Sequence, residues 1–163
     1  MRTSPDALSP GLARGLRSVY LVTGSEPLLI AEACDAIRAA ARAQQYADRE
    51  VHFLERGFDW NALLADAANL SLFASRRLIE LRIGPTPDAE SQKALAGLAA
   101  RPPEDTVLLV SGELERKTLA TAWVRAFEEH GVLVVAQSVE RPALPAWIRD
   151  RLARRGVTIE PAA

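Results

Sequence analysis

The sequence predicts an α/β protein: a three-layer, five-stranded parallel sheet with helices on both faces. Three observations predict it. Five strand-like segments alternate with helical ones, the pattern of parallel crossover units. Three of those strands are continuous apolar runs, as strands buried on both faces are. The chain has 163 residues, 48% apolar and 25% charged, which suffices for one core-forming domain and little more.

The first strand is SVYLVTG, residues 18–24. The helix after it, EPLLIAEACDAIRAAARAQQ, carries Ile30, Ala33, Cys34, Ile37 and Ala41 at helical spacing. EVHFLE (50–55) is short and flanked by charge, which suits a sheet edge. DWNALLADAANL follows, with Trp60, Leu63, Leu64, Ala67 and Ala68 as its stripe and Asp59 as N-cap. RLIELRI (77–83) alternates Ile79, Leu81 and Ile83 with Glu80 and Arg82, so one of its faces is expected to be partly polar. ESQKALAGLAA gives a weaker helical pattern through Leu95 and Leu98. TVLLVSG (106–112) is the fourth strand. ERKTLATAWVRAFEEHG reads as one helix with Leu119, Ala122, Trp123, Ala126 and Phe127 inward and Gly131 as its stop. VLVVAQ (132–137) is the fifth strand. The first, fourth and fifth strands should be central and the second at an edge.

At RPALPAW, Pro142 and Pro145 punctuate the chain, and AWIRDRLARRG begins a new helix with Trp147, Ile148 and Leu152 on its apolar side. With no partner of its own, that helix is expected to open a second domain. Residues 1–140 are therefore read as one domain and 141–163 as the start of a truncated helical one.

The formal net charge of -1 provides no global positive field for nucleic acid. The lone cysteine, Cys34, excludes an intramolecular disulfide and suits a reducing, cytoplasmic setting. MRTSPDALSPGLARGLRS lacks the apolar stretch of a secretory leader, and no run reaches the ~20 residues that cross a bilayer. No membrane partner is expected.

The turn TGSEPLLIAEA, between the first strand and its helix, occupies the place of a phosphate loop. It fails the pattern: counting from Gly24, Leu29, Ile30 and Ala31 stand where glycine, lysine and a hydroxyl belong. Pro27 lacks a backbone N–H, and Glu26 repels phosphate. The fourth strand ends in Ser111 and Gly112, where a nucleotide-hydrolysing partner strand ends in a magnesium-holding Asp. The topology suits a nucleotidase and the chemistry is missing, so no cofactor is expected. His52 is expected exposed on the edge strand, His130 in a helix-terminal, dipole-compensating position, and Cys34 in the core. No cysteine, histidine and carboxylate set has metal-ligand spacing. No catalytic residue is assigned. The arginines at 149, 151, 154 and 155 read as a solvated face, with a phosphate or partner contact as the alternative.

NLSLFASRRL joins the second helix to the third strand. With Trp60 at zero and about 100° per residue, Leu72 would fall near 120° and Phe73 near 220°, away from the core stripe. Either the pair tucks under the following strand, or it forms an exposed knob that fills a pocket on a partner.

VYLVTGSEPLL, FDWNALL, SLFASRR, TAWVRAF and LPAWI, in this order, resemble the N-terminal part of the delta subunit of bacterial DNA polymerase III, the wrench of the clamp loader. The resemblance spans nearly the whole chain. It implies an AAA+, P-loop-like domain without a functional phosphate loop, followed by the first helix of a helical lid domain. It implies that Leu72 and Phe73, preceded by Ser71, insert into the beta sliding clamp, and that the chain is no enzyme by itself. Trp60, Leu63 and Leu64 would hold the helix that presents the pair. Arg76 and Arg77 would touch the clamp rim or simply start the strand. The other implied partners are the gamma/tau and delta prime subunits of the loader, and DNA only through the assembled loader. Relatives of this kind carry further helical domains, so the chain is expected to be a piece of such a protein. The competing readings are a degenerate nucleotide-fold enzyme or small-molecule domain with its ligand at the strand ends, and direct nucleic-acid binding by the terminal arginines.

Overall fold

A computed structural model describes residues 1–69 and 76–158. The strands are β1 (Arg2–Thr3), β2 (Val19–Gly24), β3 (Asp48–Leu54), β4 (Arg77–Ile83), β5 (Thr106–Gly112) and β6 (Val132–Ala136). The helices are α1 (Pro5–Arg14), α2 (Pro27–Ala43), α3 (Trp60–Asn69), α4 (Ala89–Ala100), α5 (Ala122–His130) and α6 (Leu144–Arg154). The strands form one parallel sheet in the order β1-β6-β2-β5-β4-β3.

The alternation of side chains along each strand splits the core in two. On one face Leu21, Leu81, Leu108 and Leu133 pack with Trp60 and Leu63 of α3, Leu95 of α4, and Trp123 and Phe127 of α5. On the other, Tyr20, Val22, Leu109 and Val134 pack with Leu8 of α1 and with Ile30, Cys34 and Ile37 of α2. These are the three layers that the continuous apolar runs require. All five stripe residues expected on α2 are buried. Asp59 Oδ1 accepts from the Ala62 N–H at 3.0 Å, as an N-cap does. Asp88 caps α4 in the same way through the Ser91 N–H. The Ser91 hydroxyl in turn receives the Trp60 indole N–H at 3.3 Å, which pins the start of α3 to α4.

Four differences from the sequence reading have physical causes. The sheet has six strands, not five. Arg2 and Thr3 pair with Leu133 and Val134, and two residues are too few to show a period. β1 makes β6 an interior strand over that stretch, and α1, also unforeseen, follows it. The expected helix through Glu115–Gly131 is two pieces: a 3-10 turn at Thr118–Ala120, then α5 after the extended Thr121. Gly131 stops α5, but its φ of -138° is not left-handed; a Cβ there would lie 2.5 Å from the Val19 carbonyl oxygen, so close approach to β2 requires the glycine. Finally, β4 has no half-exposed polar face: Arg82 alone of its residues is exposed, and Glu80 has no exposed surface.

Glu80 is buried in an arginine cluster. Arg38 of α2 donates to it through Nε at 3.1 Å and Nη2 at 2.5 Å. Arg49 of β3 donates through Nε at 3.0 Å and Nη2 at 2.9 Å, and Arg82 through Nε at 3.3 Å. Burial pushes the Glu80 carboxyl up, but the hydrogen bonds and charges of Arg38 and Arg49 outweigh it and bring it down to about 2. Because the folded-state value lies below the unfolded one, this stabilisation is full above the ordinary carboxylate range and is lost as pH falls toward the folded value. Linkage puts it at about 3 kcal/mol. Chemical denaturation of wild type and Glu80→Gln should therefore show a gap of that order at about pH 7 that narrows to under about 1 kcal/mol by about pH 2.5. An equal gap at both would rule out the linkage.

Candidate functional site

The two ends of the parallel sheet are built differently, and each was a candidate. At the carboxyl ends of the strands lies the turn from β2 to α2. Gly24 has φ +145°, and a Cβ on it would sit 1.9 Å from the Ala136 carbonyl oxygen. That same oxygen accepts the Ser25 N–H at 3.0 Å. Pro27 opens α2 with no N–H to offer. The glycine therefore serves tight packing of β2 against β6, and the turn's first donor is already engaged. Thr23, fully buried at the end of β2, accepts the Leu114 N–H at 3.1 Å, tying the β2 end to the segment after β5. Beside the turn, between α2 and the ends of β4 and β5, is an open cleft of about 640 Å³. Its walls include Pro27, Ile30, Ala31, Ile83 and Pro85, with Arg38 and Arg82 also lining it. Cys34 reaches this cleft but is 2% exposed. Burial, partly offset by the Arg38 charge, pushes its thiol up to about 11, so it stays protonated and a poor nucleophile.

The opposite end carries the described flanks of the NLSLFASRRL joint. Ser71, Leu72 and Phe73 lie outside the described residues. Their flanks are described. α3 ends at Asn69 and β4 starts at Arg77, level with Asp48 of β3 and Thr106 of β5, at the amino ends of the strands. Arg77 is 3% exposed; its Nη1 lies 3.4 Å from the Glu50 carboxylate and its Nε 3.5 Å from the Thr106 hydroxyl. It takes the strand-starting role. Arg76 is exposed. It donates to the Gln44 carbonyl at 3.1 Å, sits 5.5 Å above the Tyr46 ring and lies 3.8 Å from Asp105. On α3, Trp60, Leu63 and Ala67 face the core, while Leu64 is 43% exposed and Ala68 is exposed too. The expectation that Leu64 anchors the helix is corrected: the buried stripe is one side chain wide.

The remaining candidates resolve simply. His52, expected exposed, is half-buried, edge-on to Phe58 and 3.4 Å from Glu50. His130 ends α5 and stands exposed. Trp60 and Trp123 are buried; Trp147 of α6 packs against the α1–α2 core, so that helix has a partner there. Arg151 stacks on Trp147 at 4.4 Å and pairs with Glu32 of α2, and Arg154 lies 3.8 Å from Asp6. Two of the terminal arginines are thus engaged within the chain. Among the described residues no group of three His, Cys, Asp or Glu is placed to hold a metal, and no helix is long and apolar enough to cross a membrane. Sequence reasoning missed the Arg38–Arg49–Arg82–Glu80 cluster. Its one signal was a lone Glu in an apolar strand, and its partners are fixed only by strand pairing.

Two outcomes follow for the carboxyl end. Gly24→Ala should destabilise the fold by about 3 kcal/mol or more, read by denaturant titration, since the methyl group would collide with backbone. Cys34 should resist a disulfide-exchange thiol reagent until the protein unfolds; fast labelling of folded protein would refute its burial.

The family model for the delta subunit of DNA polymerase III matches residues 20–137. The chain is 32% identical over 165 residues to DNA polymerase III subunit delta of Escherichia coli, covering all of this chain and 48% of that protein. It is 27% identical over 160 residues to the same subunit of Haemophilus influenzae, covering 96% and 46%. Among solved structures the Bacillus subtilis DNA clamp loader delta protein superposes with a TM-score of 0.72 at 18% identity, over 96% of this chain and 49% of that one, a likeness of fold. The chain spans about half the length of the curated relatives it matches. With the family model matched across β2 to the residue after β6, the whole central sheet, this chain belongs to the DNA polymerase III delta-subunit family.

Proposed function

We propose that this chain is the clamp-binding part of a clamp-loader delta subunit. Leu72 and Phe73, with Ser71 before them, are its anchors in the beta sliding clamp, and Arg76 is a rim contact. The observation that supports this reading is the position of the described residues on either side of the SLF joint. Its described flanks stand at the amino end of the sheet, at the end of α3 and beside an exposed Arg76. The carboxyl end, where nucleotide chemistry would sit, has its glycine filled against β6. The AAA+-like domain, residues 1–140, would act as a holder for the anchors, and residues 141–163 would begin the second domain. Gamma/tau and delta prime subunits would join through the rest of the full-length protein, and DNA would be met only by the assembled loader.

No bond is made or broken in this mechanism. A holder that fits the curvature of an opened ring better than that of a closed one shifts the ring toward opening by its difference in affinity. Each anchor buried in an apolar pocket contributes about 1.5–3 kcal/mol before association costs. Leu72→Ala/Phe73→Ala should therefore weaken binding to the sliding clamp of the same organism by about a hundredfold or more in surface-plasmon measurements. Its thermal unfolding should stay close to wild type. A variant that unfolds at a much lower temperature, or that still binds, would refute the assignment.

ATP with magnesium should give no thermal shift, because the β2–α2 turn lacks a phosphate cradle. A saturable shift would favour the rival small-molecule reading at the strand-end cleft.

A further inference from the structure

The α1–α2 layer covers β6, β2 and β5 but leaves β3 and part of β4 bare on the same face. Phe53, on that bare face, is 61% exposed, and Val51 beside it is exposed as well. Arg82 lies under the Phe53 ring at 5.3 Å and lines the strand-end cleft, so ring, guanidinium and cleft form one continuous surface. Three guanidiniums converge here on a single buried carboxylate. Arg38 also pairs with Asp35, which leaves the excess positive charge on Arg49 and Arg82, each more than two-fifths exposed. Most of their N–H groups point to no partner among the described residues. Among the described residues the outer edge of β3 is also unpaired. An edge strand is normally blunted by charge, bulge or cover; β3 carries such charge in Asp48, Arg49 and Glu50, and beyond it Phe53 stands exposed.

We propose that this face binds an extended, acidic segment of a partner protein that carries one large apolar side chain. The carboxylates meet Arg49 and Arg82, the apolar side chain enters the cleft lined by Ile30, Ile83 and Pro85, and the segment's backbone runs along the β3 edge. Nucleic acid is the less suitable occupant. A phosphate backbone needs a run of free cations, and here the three guanidiniums already share Glu80 and Asp35, with Glu113 on the cleft wall. The inference does not rest on the clamp reading: Phe53, Arg82 and the cleft lie toward the carboxyl ends of the strands, whereas the described flanks of the SLF joint stand at their amino ends.

The test is to pan a displayed library of random peptides, about twelve residues each, against the folded chain. Recovered peptides should be rich in Asp and Glu around one Leu, Phe, Met or Trp. Their affinity should fall about tenfold or more with Phe53→Ser and with Arg82→Gln, and it should weaken with salt. Phe53→Ser leaves the Glu80 cluster intact, so it keeps the test decisive should Arg82→Gln disturb folding. Leu72→Ala/Phe73→Ala should bind the peptides as wild type does, which separates this face from the clamp site. No enrichment, neutral or basic winners, or winners indifferent to Phe53→Ser would overturn the proposal. So would binding of a fluorescent oligo-dT that Phe53→Ser abolishes, which would assign the face to single-stranded nucleic acid.

Discussion

The Glu80 carboxylate is the constraint on which the outer half of the sheet depends. A carboxylate without solvent costs several kcal/mol unless its oxygens are saturated, and here Arg38, Arg49 and Arg82 saturate them. Such a cluster is weak evidence for net stability, since an apolar replacement often does as well. Its effect is geometric. Arg38 belongs to α2, Arg49 to β3 and Glu80 to β4, so one buried charge ties three elements that share little apolar contact on this face. β3 exposes Arg49, Val51 and Phe53 there and, among the described residues, has no strand on its far side. The cluster supplies the fixation that a covering helix would otherwise give, and it leaves that face open.

Fixing β3 and β4 also fixes what hangs from them. The joint after α3 enters β4 at Arg77, which is itself buried against Glu50 of β3 and Thr106 of β5. Among its described side chains α3 adds Trp60, Leu63 and Ala67 to the core. Trp60 on Ser91 fixes the start of that helix, and the sheet fixes Arg77, the described residue at which the chain enters β4. At the other end of the sheet, packing of Gly24 against Ala136 uses the glycine that a phosphate loop would need. The same α/β framework therefore offers a placement for side chains at one end and a closed turn at the other.

Much of this was legible in the sequence. β2, β5 and β6 announce themselves as unbroken apolar runs, α2 by its stripe, β3 by its flanking charges, and α3 by Asp59. What was not legible depends on partners far along the chain. β1 exists because Arg2 and Thr3 find β6, about 130 residues away, and nothing local encodes that. Alternation placed Glu80 on a polar face because period two cannot tell water from a ring of arginines. Leu64 matched the helical stripe yet faces out, because the groove it would fill is only as wide as Trp60, Leu63 and Ala67. The meaning of Leu72 and Phe73 did not come from periodicity at all; it came from the resemblance of the surrounding motifs.

α6 changes how the rest of such a protein would act on this domain. It was expected to stand without a partner, but Trp147 rests on the α1–α2 core and Arg151 pairs with Glu32 of α2. Ile148, 41% exposed, is left facing away. From α6 the contacts run to α2, from α2 through Arg38 to Glu80, and along β4 to Arg77 beside the SLF joint. Each link is a packed or ion-paired contact between regular elements, with α6 itself burying no residue. Stiffness along such a path matters for any holder that works by preferring one ring shape. A compliant holder relaxes onto the closed ring and loses its differential affinity, whereas a rigid one keeps the full difference and shifts the ring's population by that amount.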